Sequence, residues 1–83
     1  MYNIENELVN QKNAILALVN AEDYERALSA LALLEPLWIT CEYGYKAREL
    51  RQRIRDEARM RALQSDHWST RQKWERLYGA VSA

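Results

Sequence analysis

Four arginines, Arg48, Arg51, Arg55 and Arg59, recur at spacings of three, four and four, which puts them on one face of a helix. At 1.5 Å per residue the stripe is about 16 Å long. A guanidinium is a planar fork that holds a carboxylate or a phosphate through two parallel hydrogen bonds. The chemistry these residues fit is therefore recognition of an anionic surface. Little in the helix itself offsets them. Asp56 is within reach of Arg59, but Arg51 and Arg55 have no carboxylate three or four positions away. Aromatic residues flank the stripe, with Trp38, Tyr43 and Tyr45 before it and Trp68, Trp74 and Tyr78 after it. Tryptophan, tyrosine and arginine are the residue types that dominate binding hot spots. The expected contact set is Arg48, Arg51, Arg55 and Arg59 as ionic anchors, with Trp38, Tyr43, Tyr45 and Trp68 as apolar ones.

Catalytic chemistry has much less to work with. The lone cysteine, Cys41, and the lone histidine, His67, would have to serve together as nucleophile and base. Cys41 stands among Trp38, Ile39 and Tyr43, where it reads as a small buried apolar residue. His67 has no partners at ligand spacing, so no metal is expected. No glycine-rich loop is present to cradle a phosphate. The paired carboxylates Glu22-Asp23 and Asp56-Glu57 read as cap and surface charges. The expectation is a protein that is not an enzyme and uses no cofactor.

The charges are sorted along the chain. Residues 1–42 carry seven acids and two bases, whereas residues 43–83 carry ten bases and five acids, although the whole is formally neutral. Such a dipole calls for a counter-surface: the acidic half of the same molecule, a second copy, an acidic protein or nucleic acid. Nucleic acid is the weaker reading. Affinity there grows with unopposed cations, and a pI near 6.6 is far below that of a typical basic domain.

These residues must be held by a single small domain of 83 residues, marginal in the core it can build. Only two glycines and one proline punctuate it, too few for a turn-rich β fold. The expected class is all-α, a small helical bundle of three to four helices. Asn3 is the expected cap of a helix over Ile4–Val19, with Glu5 and Glu7 favouring its positive end. A second helix, Asp23–Glu35, carries Tyr24, Ala27, Leu28, Leu31 and Leu34 at helical spacing, and Pro36 is expected to end it or to begin the next. Residues 1–35 thus read as an acidic hairpin. Residues 36–45 read as an aromatic connector continuing into the third helix, with a boundary at Gly44. Residues 46–64 form the basic helix, with a narrow apolar stripe of Ala47, Leu50, Ile54, Ala58 and Ala62. Residues 65–83 hold a short last helix over Ser69–Tyr78, with Gly79 just beyond it.

The segment Asp23-Tyr-Glu-Arg-Ala-Leu, followed by leucines and Glu35-Pro36, is similar over about 20 residues to the second helix of a tetratricopeptide hairpin. The resemblance implies an αα-hairpin. Between Ala27 and Pro36 the chain is about one turn shorter than that repeat, so the family itself is not assigned.

One cysteine allows no internal disulfide, and the first residues lack the basic and apolar regions of a signal peptide. A cytoplasmic protein is expected, and a homodimer is favoured because the core is small and the apolar content high. The functional expectation is a small protein that binds and modulates another protein with an acidic surface, as an inhibitor, adaptor or co-chaperone does. Small phage- or plasmid-encoded inhibitors share this profile. The alternative is a nucleic-acid-binding regulator using the same helix on phosphates.

Overall fold

A computed structural model describes residues 3–82. The protein is all-α, with four helices: α1 (Ile4–Asn20), α2 (Tyr24–Thr40), α3 (Gly44–Gln64) and α4 (Trp68–Ser82). Among the described residues there is no strand. The chain divides into two compact units, Met1–Leu50 and Arg51–Ala83. None of the helices is long and apolar enough to cross a membrane.

Helix α1 begins as its sequence dictates: the Asn3 side chain accepts a 3.0 Å hydrogen bond from the Glu5 amide. Asp23 caps α2 in the same way through the Arg26 amide, at 3.4 Å. The end of α2 is different from the expectation. Pro36 neither ends this helix nor begins another; α2 runs through it to Thr40. Proline inside a helix forfeits one backbone bond and crowds the preceding turn, at a cost of about 3 kcal/mol. Trp38 supplies the reason to continue. It is completely buried, and its indole N–H donates 2.8 Å to the Gln11 side chain on α1. The Thr40 hydroxyl also donates to the Pro36 carbonyl, at 3.0 Å. Residues 37–40 are therefore the last turn of α2, rather than the start of the third helix.

The two turns of the first unit are built alike. Glu22 N–H bonds the Val19 carbonyl and Asp23 N–H bonds that of Leu18, at 3.0 and 2.9 Å. Twenty residues on, Glu42 N–H bonds Ile39 and Tyr43 N–H bonds Trp38, at 3.1 and 2.6 Å. Both are Schellman closures, which need a left-handed residue just past the helix. Here glutamates fill that position, with φ of 62° at Glu22 and 59° at Glu42. In each case a buried alanine, Ala27 or Ala47, sits five residues further on. The second closure has an aromatic lock, since the Tyr43 ring meets Trp38 edge-on at 5.3 Å. Gly44 opens α3 there because a Cβ would lie 2.9 Å from Ile39 Cγ1.

The core of the first unit is Leu8, Ile15 and Val19 of α1, Tyr24, Ala27, Leu31 and Trp38 of α2, and Ala47 and Leu50 of α3. In the second unit Ile54, Ala58, Ala62 and Val81 are buried, so the whole apolar stripe expected along α3 lies inside. Helix α4 folds back antiparallel on the end of α3, because Arg61 meets Trp74 while the earlier Arg55 meets the later Tyr78. It starts one residue sooner than Ser69 and runs past Gly79 to Ser82. His67 provides the cap, its Nδ1 accepting from the Ser69 amide at 3.3 Å. Burial of Val81 favours the extra turn, and Gly79 merely faces open space.

Two substitutions test this account. Pro36→Ala is expected to stabilise the fold by roughly 1–2 kcal/mol, the helix-interior penalty less the benefit proline brings by stiffening the unfolded chain. Glu42→Gly is expected to add about 0.5–1 kcal/mol by relieving the left-handed backbone. Thermal midpoints should rise by roughly 4–8 °C per kcal/mol in a domain this small.

Candidate interaction surface

The residues expected to form one contact set divide between the two units. Trp38, Tyr43, Tyr45 and Arg48 belong to the first; Arg51, Arg55, Arg59 and Trp68 belong to the second. Trp38 must be withdrawn from the set, since its ring is sealed in the core and its one polar atom is already bonded to Gln11. Tyr43 is half-buried between Trp38 and Tyr45, its ring 5.7 Å from the latter. Burial pushes its phenol above the ordinary value, against a smaller opposing effect of Lys46. Tyr45 is exposed, with the Lys46 ammonium 5.5 Å from its ring centre. Lys46 in turn donates to Glu49 at 3.3 Å, and that bond holds its pKa up. Arg48 is exposed.

The second unit contains the denser positive field. From Arg51 onward there are eight basic side chains and four acidic ones, against four basic and eight acidic up to Leu50. Its arginines nevertheless have unequal roles. The guanidinium of Arg55 lies 5.5 Å from the Tyr78 ring centre. Its hydrogen bond, more than its charge, holds the Tyr78 phenol below the usual tyrosine range, and Arg59 adds to the effect. Arg61 donates from Nε to Glu57 at 2.7 Å and stands 5.0 Å from the centre of Trp74. Lys73 approaches the same indole at 5.3 Å. Arg71 reaches back to the Ser65 carbonyl at 3.0 Å, closing the loop between α3 and α4. Arg55, Arg61 and Arg71 thus tie this hairpin together. Arg51 is half-buried, whereas Arg59 is exposed.

Trp68 is the most available aromatic of the set, 72 % exposed at the first position of α4. Two apolar residues the sequence reading passed over are also in the open, Leu63 at 74 % and Met60 at 49 %. They are one helical turn apart on the α3 face that holds neither Arg55 nor the buried stripe. Periodicity did carry that signal, because both fall outside the apolar positions 54, 58 and 62.

Cys41 is a free, half-buried thiol in the turn after α2, and His67 is engaged as a helix cap. Among the described residues no group of three or more histidines, cysteines and carboxylates is placed to hold a metal ion. No protein-family model, no curated protein and no solved structure matches the chain.

Tyr78 and Tyr43 are shifted in opposite directions, so alkaline titration should separate them. Tyr78 is expected to ionise below the ordinary value of about 10 and Tyr43 above it. Arg55→Gln should return Tyr78 upward and leave Tyr43 in place, as read from phenolate absorbance of the parent and of Tyr78→Phe. The folded-state value of Tyr43 exceeds its unfolded one. Its contribution to stability is therefore intact below about pH 10 and is lost as pH rises through the folded value.

Proposed function

We propose that this chain is a non-enzymatic binding protein that engages an acidic protein surface through its second unit and so modulates that partner. The observation that carries the reading is the concentration of eight basic side chains against four acidic ones from Arg51 onward, with Trp68 exposed in the same unit. Arg59 is the leading ionic anchor because it is exposed and on the expected stripe, while Arg51 and Arg55 contribute positive potential from half-buried positions. Trp68, with Leu63 and Met60, offers the apolar area that gives an ion-paired interface its residence time. Inhibitor, adaptor and co-chaperone roles all use such a surface. Action in the cytoplasm, and an origin in a phage or plasmid, belong to the same proposal.

The test is capture from lysate of the organism that encodes the chain, comparing the parent with Arg59→Glu/Trp68→Ala. Both side chains are exposed, so helicity by circular dichroism should be unchanged. An acidic protein held by the parent, resistant to nuclease and lost with the double change supports the reading. Retention that ignores the double change overturns it. Material that vanishes on nuclease treatment and weakens steeply with salt would instead establish the phosphate-binding alternative.

A further inference from the structure

The outward face of α2 is an apolar surface that the other described residues of its unit leave exposed. Between Ala27 and Cys41 the only charged residue is Glu35, which is half-buried toward the core side of the helix. Leu33 is 80 % exposed and Leu37 41 %. Arg26, Ala30, Leu33, Leu37 and Thr40 follow one another at spacings of four, three, four and three. That is the alternation of a seam at which two helices pack, here about 21 Å long.

The seam is self-complementary. We propose that a second copy of this chain covers it, through an antiparallel α2–α2 contact whose two-fold axis passes by Leu33. Each residue three or four positions before Leu33 then meets one three or four positions after it on the other copy. The small Ala30 lies across from the larger Leu37 of the opposing helix, and Leu33 meets its own equivalent. At both ends Arg26 reaches Thr40 at the end of the opposing helix and Glu42 in the turn beyond it. The charges agree as well. The last turn of α2 has no basic residue to offset the negative end of the helix dipole, and Glu42 follows it. Arg26 supplies the missing cation from outside; among the described residues of its own chain its guanidinium makes an exposed pair with Asp23, at 3.5 Å. An isologous contact needs this property, that one patch fits itself when turned by 180°. The seam lies wholly in the first unit and does not rest on the function proposed for the second.

Sedimentation equilibrium of the whole chain tests the proposal. A seam of one helix per copy is short, so a dimer dissociating at about 10–100 µM is expected. Leu33→Glu should weaken it by about 100-fold or more, because two carboxylates would meet on the axis, with circular dichroism unchanged at so exposed a site. Arg26→Glu should weaken it several-fold, and adding Glu42→Arg should restore it. The dimer should also persist in about 0.5 M salt. A monomer at all concentrations up to about 500 µM would overturn the proposal. So would a dimer that survives Leu33→Glu, or one that dissolves in salt, which would point to pairing of the oppositely charged units.

Discussion

Burial of the Trp38 indole ties together almost every feature of the first unit. The ring needs a place inside, and its N–H needs an acceptor there, since an unpaired buried donor costs about 1–3 kcal/mol. Gln11 supplies that acceptor and so joins α1 to the end of α2. The Trp38 carbonyl receives the Tyr43 amide that closes the second turn, and the Tyr43 ring leans on the indole it has just passed. One residue thereby sets how far α2 runs, where the chain reverses and where α3 begins.

Seen from this residue, the parts of the fold that were legible in the sequence are those decided by neighbours within a turn or two. Asn3 and Asp23 cap helices because a short polar side chain beside free amides does so almost anywhere. Ala47, Leu50, Ile54, Ala58 and Ala62 go inside because their spacing makes one continuous apolar stripe along the helix. Pro36 is also a local signal, for the end of one helix or the start of the next, and there the local rule lost. A penalty of about 3 kcal/mol is comparable to the benefit of burying one large aromatic side chain, so a tryptophan two residues later, with its bond to Gln11, offsets it. The boundary expected at Gly44 is where α3 begins, but the residue that closes the turn before it was not legible, for a related reason. A left-handed closure is normally announced by glycine, and here the residue is Glu42, with glycine displaced to position 44 by the nearness of Ile39.

The charged residues teach a similar lesson about the candidate surface. Spacing correctly put the arginines of α3 beside one another, but it could not say which would be occupied by the fold. Spacing gives Arg61 its partner Glu57, four positions before it, but Arg55 is engaged by Tyr78 and Arg61 also by Trp74, 23 and 13 positions away in the sequence. Helix periodicity carries no information at that range. The aromatic set was split for the same reason: Trp38 went to the core while Trp68 stayed outside, and nothing in either residue's immediate neighbours distinguishes them.

The two outward surfaces differ in what they ask of a partner. The second unit presents charge with scattered apolar groups, a combination that speeds encounter and rewards an anionic counterpart, and that weakens with salt. The outer face of α2 presents nearly no charge, so steering contributes little and contact there depends on shape and on water released from leucine side chains. The acidic residues belong chiefly to the first unit, yet they avoid this face: Glu22, Asp23 and Glu25 gather before it and Glu42 just after it. Acids kept to the ends of a helix leave its middle free to pack. The sorting of charge along the chain and the clearing of charge from α2 are therefore two separate features of the sequence, and they equip the molecule with two surfaces of different chemistry.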